Sequence, residues 1–158
     1  MSVIVADTSP LLHLARVGRL DLVETVLGRV IVPRTVWSEL VRPGTRRDVL
    51  DTLRGAAWLS VADDPALETL GLDPGETAAI LLAGAVAASV LLIDERRGRA
   101  VAVARGLPVV GTLGVLISAR RSGALHRVAP VIAELRTDGF WLSDAVTNAV
   151  LEQVGEHA

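Results

Sequence analysis

The chain has 158 residues, 51% of them apolar, a formal net charge of −2 and no cysteine. That length suits a single domain over residues 1–158, which buries about two-thirds of its unfolded surface in a core without staples. Disulfides and thiolate metal sites are excluded, which suits a reducing cytoplasm, and so is a global basic field that recruits nucleic acid. Val3 to Ala6 reads as a buried strand, and Asp7 cuts this apolar stretch with no basic region before it, so no secretory signal is expected. Ser9 is expected as an N-cap and Pro10 as the first helical residue of a helix running to Gly18. A short helix follows over Asp21 to Leu27, then a strand over Val30 to Val32. Pro33 opens a helix with Val36, Trp37, Leu40 and Val41 on its apolar side. Arg42-Pro43-Gly44 breaks it, and a helix over Arg46 to Leu53 and a strand over Trp58 to Val61 come next.

Asp73-Pro74-Gly75-Glu76 starts a long alanine-rich helix, with Asp73 as cap and Glu76 at capping-box spacing. The uncharged stretch from Thr77 to Ile93 changes from alanine-rich to β-branched at Ser89. It therefore reads as helix then strand (Val90 to Ile93), not as a membrane span. A helix through Ala100 to Arg105, a strand over Leu107 to Val110 and a helix ending near Gly123 follow. Helices around Val128 to Arg136 and Ser143 to Val154 close the chain. Strands alternating with helices in this way predict a three-layer α/β/α domain with a mostly parallel central sheet.

Two of the strands end in an aspartate, Asp7 and Asp94. In open α/β sheets ligands gather outside the carboxyl ends of the strands, so these two converge on one crevice. Glu76 starts the helix that runs back from that edge, and Glu39 sits less than two turns into the helix after the second strand. The four acids therefore share one sheet edge. Unpaired carboxylates about 4 Å apart repel by roughly 4 kcal/mol per pair at an effective dielectric of 20. Such a set needs protons, arginine partners or a cation, and oxygen donors without His or Cys select Mg²⁺ or Mn²⁺. Each acid also has a structural role open to it: Asp7 and Asp94 as turn or cap residues, Glu76 in its capping box, Glu39 as a solvated helix position. Glu95 reads as a surface charge or part of the acidic rim, His13 as a packing residue of the first helix.

All 16 basic residues are Arg, as GC-rich codon usage alone produces. Even so, Arg96, Arg97 and Arg99 directly follow Asp94, and the guanidinium fork suits phosphate. Thr112 either hydrogen-bonds an acid or, the commoner role, caps the next helix. The scarce aromatics (Trp37, Trp58, Phe140 and Trp141) leave base stacking little to work with.

Five segments occur in order: Asp7-Thr8-Ser9-Pro10-Leu11; Ile31-Val32-Pro33 leading to Glu39-Leu40; Leu72-Asp73-Pro74-Gly75-Glu76; Leu92-Ile93-Asp94-Glu95-Arg96-Arg97-Gly98; and Val110-Gly111-Thr112-Leu113-Gly114. With Gly139-Phe140 and Leu142-Ser143-Asp144 in the closing helices, the chain closely resembles the PIN-domain family, in a VapC-like prokaryotic branch. The resemblance implies a metal-dependent ribonuclease using Mg²⁺ or Mn²⁺, the toxin of a toxin–antitoxin pair. Its partners would be RNA, a small antitoxin protein and a second copy in a homodimer. It also implies catalytic and metal-binding roles for Asp7, Glu39, Glu76 and Asp94, with Thr8, Ser9, Arg96, Arg97, Arg99 and Thr112 contacting substrate. Glu76 stands where the wider family commonly has Asp. The alternative is a PIN-like module that binds RNA or antitoxin without cleaving. A dinucleotide fold lacks its third glycine and following acid, a phosphorelay receiver lacks its lysine, and a haloacid-dehalogenase-type phosphatase needs an aspartate where Ser9 stands.

Overall fold

Short runs of β-branched and leucine residues, each too brief for a helix and apolar throughout, become strands covered on both faces. The computed structural model describes residues 2–66 and 68–157. In chain order it has β1 (Ile4–Ala6), α1 (Thr8–Arg16), α2 (Asp21–Leu27), β2 (Val30–Pro33), α3 (Arg34–Leu40), α4 (Arg47–Arg54) and β3 (Leu59–Ala62). Then follow α5 (Pro74–Ala85), β4 (Val90–Leu92), α6 (Arg96–Ala104), β5 (Val109–Val110), α7 (Thr112–Arg121), α8 (Ala129–Thr137) and α9 (Asp144–Gln153).

The sheet is five-stranded and parallel in every pairing, in the order β3-β2-β1-β4-β5. The chain therefore builds outward from β1 to β3 on one side, then returns to add β4 and β5 on the other. β1 and β4 lie side by side where the order reverses, with Val5 opposite Leu91 and Ala6 opposite Leu92. The Asp7 N–H donates to the Leu92 carbonyl at 2.9 Å, so the ladder continues to the foot of α1. Crevices at such a reversal are where α/β sheets hold ligands.

α5 is the central helix. It packs on β1, β2, β4, α3 and α6, and every residue from Gly75 to Ala83 is buried. Its alanines and glycines let neighbours approach closely, and an all-round apolar helix is stable only when enclosed in this way. No helix among the described residues is long and apolar enough to cross a membrane.

The start of the first helix differs from expectation. Asp7, not Ser9, is the N-cap residue; α1 begins at Thr8, and no side chain caps it. The extended Asp7 backbone (φ −83°, ψ 172°) runs from the ladder straight into the helix, leaving no intervening turn for Ser9 to close. Pro10 then sits third in the helix, where its missing N–H had no intrahelical acceptor to lose. Pro33 likewise ends β2 and caps α3 instead of opening it.

The far end of the chain is tied back by a carboxylate. Glu156 is buried and accepts hydrogen bonds from the Val128 and Ala129 N–H groups at 2.8 and 3.1 Å, at the start of α8. Burial pushes its pKa up, but those N–H donors and the nearby Arg127 and Arg120 outweigh it, and the carboxyl lies below its ordinary range. Glu156→Gln replaces one acceptor oxygen by a donor facing an N–H, at an expected cost of about 1–3 kcal/mol at neutral pH. A depressed carboxylate contributes stability above its unfolded pKa and loses it as pH falls through the folded value. The gap in melting temperature between the variant and the parent should therefore narrow on acidification. Identical melting curves at neutral pH would show that this tie carries no stability.

Candidate active site

Asp7 ends β1 and Asp94 follows β4, so the sheet reversal brings the two strand-end acids onto adjacent strands. Asp7 is 3% exposed, and burial raises its carboxyl from 3.8 to about 7. The Thr8 backbone N–H offsets this in part, while the charges of Asp73, Glu39 and Asp94 push further in the same direction. Glu76, in the first turn of α5, is raised to about 8, first by burial, then by its hydrogen bond to Asp73 and the charges of Asp73, Asp7 and Glu95. The expected quartet thus shares one electrostatic neighbourhood.

The individual carboxylates are held apart by their own partners. The Thr8 hydroxyl donates to Glu39 Oε2 at 2.8 Å, turning that side chain toward α1 and the start of α5. Asp94 accepts from the Thr112 N–H at 2.7 Å and from the Thr112 hydroxyl at 2.6 Å, one bond to each oxygen. Thr112 is fully buried at the start of α7, and its side chain makes no cap. The commoner expectation for Thr112, a helix cap, is therefore corrected: its hydroxyl orients Asp94. Among the described residues no three acidic or histidine side chains form a ready-made metal cage.

Space for the acids comes from glycines at three helix entrances. A Cβ on Gly75 would lie 2.2 Å from Glu39 Oε1, and one on Gly111 would lie 2.7 Å from Asp94 Oδ1. Gly98 leaves Glu76 Oε2 a similar berth at 3.2 Å. These glycines lie inside the segments that carried the resemblance, but glycine at a helix start has many causes and gave no sign of its carboxylate neighbour.

The substrate-contact candidates divide. Thr8 and Thr112 are committed to acids, and Arg97 donates to the Gly71 carbonyl at 3.1 Å beside Asp73 and Glu76. Arg99 Nη1 donates to the Ile93 carbonyl at 2.9 Å. Ser9, Arg96 and Arg99 line a groove of about 770 Å³ that reaches Asp94. His13 packs its ring edge-on to Phe140 at 4.7 Å, in keeping with a packing role, and burial lowers its pKa.

Asp73 was visible in the sequence only as a helix cap, and it is one, accepting from the Glu76 N–H at 2.8 Å. Its charge also falls on both Asp7 and Glu76, which makes it a fifth acid of the site. Chemically, the donor set is all oxygen, crowded, and partly protonated at neutral pH. Those properties fit a hard divalent cation, whose charge would offset the burial and the neighbouring acids that together hold protons on Asp7 and Glu76.

A family model described as PIN domain matches residues 3–156. Among solved structures, a PilT N-terminus domain protein from the hyperthermophilic archaeon Sulfolobus solfataricus P2 is similar with a TM-score of 0.54 at 16% identity. That alignment covers 75% of this chain and 93% of the archaeal one, and at such identity it speaks for the fold alone. No curated protein matches the chain.

An acid whose folded pKa is raised destabilises the native state once the unfolded chain has lost its proton. Between 3.8 and about 7 the native state holds a proton on Asp7 that the unfolded state has released, so stability falls as pH rises across that window. Asp7→Asn removes this term. In metal-free buffer near pH 7 the variant should melt about 5 °C or more above the parent, with the gap closing toward pH 4. A variant melting below the parent at neutral pH would contradict the assignment.

Proposed function

This chain belongs to the PIN-domain family, whose members are generally nucleases that use divalent metals; from that premise we propose a Mg²⁺- or Mn²⁺-dependent ribonuclease. The observation that carries the reading is the crowding of Asp7 and Glu76, two acids at the sheet reversal with raised pKa values. Asp7, Glu39, Glu76 and Asp94 would hold the ion. When bound, the metal would supply charge stabilisation at phosphate and a water of lowered pKa.

The chain's own residues supply orientation and exclusion. Thr112 fixes both oxygens of Asp94, and Thr8 restrains Glu39, so neither acid has to be ordered when substrate arrives. Burial of Asp7 keeps bulk water from that carboxylate. Arg96 and Arg99 line the groove leading away from Asp94, where guanidinium groups would take the flanking phosphates of an RNA strand.

In the cell we propose that the protein acts in the cytoplasm as the toxin of a toxin–antitoxin pair, with a small antitoxin as partner and with homodimers as its assembly. The competing reading, an inactive PIN-like module that binds RNA or antitoxin, is separated from this one by catalysis. The purified parent should degrade a mixed RNA pool in Mn²⁺ and lose that activity in EDTA. Asp7→Asn should reduce cleavage at least a hundredfold while melting as a folded protein. A folded variant that cuts as fast as the parent would remove Asp7 from the mechanism, and an inert parent would favour the binding module.

A further inference from the structure

Trp141 is 84% exposed, the largest apolar side chain left in water among the described residues. It stands at the rim of the same groove that Asp94, Arg96 and Arg99 line. Its neighbour Phe140 is half-buried against His13, deeper in the same groove. The turn is held by Gly139 at φ +99° and by the Phe140 N–H donating to the Leu135 carbonyl at 2.9 Å. The indole is therefore displayed from a braced turn between α8 and α9. Val146, 44% exposed on the first turns of α9, extends the apolar rim beside it.

The same groove is lined by Arg96 and Arg99, beside the acids Asp94 and Glu95. Arg96 is exposed and makes no ion pair or side-chain hydrogen bond among the described residues, unlike Arg97, which is tethered to Gly71. One groove of about 770 Å³ thus offers a free guanidinium, a free indole and an acid at the candidate catalytic edge. A polyanion with flat apolar faces matches this combination: phosphate on the arginine, base on the indole. An apolar protein surface would match the indole but leave the unpaired Arg96 unanswered, whereas Arg99 already holds the Ile93 carbonyl.

We propose that Trp141 is a base-stacking platform for a nucleotide flanking the cleaved phosphate, with Arg96 holding an adjoining phosphate of the same strand. The assignment rests on the phosphodiesterase reading of the neighbouring acids. The sequence left base stacking little to work with because aromatics are few; the fold places one of them where it counts.

Binding is measured without metal, by the fluorescence anisotropy of a labelled short oligoadenylate and of an abasic sugar-phosphate oligomer of the same length. Trp141→Ala should weaken oligoadenylate binding by about tenfold or more and leave the abasic oligomer unchanged, whereas Trp141→Phe should keep most of the affinity. In Mn²⁺, Trp141→Ala should raise KM with kcat nearly unchanged. Its melting temperature should match the parent, since the indole is in water. If Trp141→Ala binds oligoadenylate as tightly as the parent, the platform is wrong. If the same variant instead converts a dimer to a monomer, the indole is a protein contact. Trp141-dependent binding without any cleavage would sustain the platform and sink the nuclease reading. Cleavage by Trp141→Ala with the parent's KM would do the reverse.

Discussion

Asp7 ends the central strand of the sheet, beside the strand that ends just before Asp94, and it is shut away from water. A carboxylate in that position is costly to ionise, and three further acids add their charges to the cost. Much of the surrounding architecture follows from this constraint. The sheet reversal creates the crevice, the helix starts deliver Glu76 and Asp73 to it, and small residues leave room for oxygen atoms in place of side-chain carbon. A protein selected for stability alone would put apolar residues here. The acids therefore point to a positively charged visitor.

Hydroxyl partners keep the cluster from collapsing into mutual hydrogen bonding. Thr112 takes both oxygens of Asp94, and Thr8 takes one of Glu39. Each bond fixes the orientation of a carboxyl group before any ligand arrives. Asp73 and Glu76 behave differently: they share a hydrogen bond, and Glu76 keeps its proton to about pH 8. Within one site, then, hydroxyl donors orient Glu39 and Asp94, while burial favours a proton on Asp7 and Glu76 that a cation can displace. Away from the site, the Glu156 carboxylate meets two free N–H groups at a helix start and is stabilised as an anion. Burial alone does not decide the outcome; the local donors do.

The strands were legible because buried parallel strands are apolar without alternation, and the acids were legible because they interrupt those runs. From the direction of each element alone, Asp7, Glu39, Glu76 and Asp94 fall on one edge, and the structure places them in one electrostatic neighbourhood. The side-chain partners were not legible. Whether Thr112 caps its own helix or reaches Asp94 depends on which strand lies beside β5, a long-range fact with no local signature. Ser9 before Pro10 has the composition of a cap, yet the ladder runs on to Asp7 and the helix starts at once. The exposure of Trp141 likewise has no local signature. Its neighbour Phe140 is packed on His13 and it is not, and only the turn between α8 and α9 decides which of the two rings is left in water.

The claim that carries the most weight is that a divalent cation relieves the crowding at the sheet reversal. Calorimetric titration of Mn²⁺ into the metal-free protein near pH 7, repeated in buffers of different ionisation enthalpy, measures both binding and the protons released with it. Saturable binding that expels one or more protons, and that fades in Asp7→Asn, is the expected result. Binding with no proton release, or none at millimolar Mn²⁺, would contradict a cation site built from Asp7 and its neighbours.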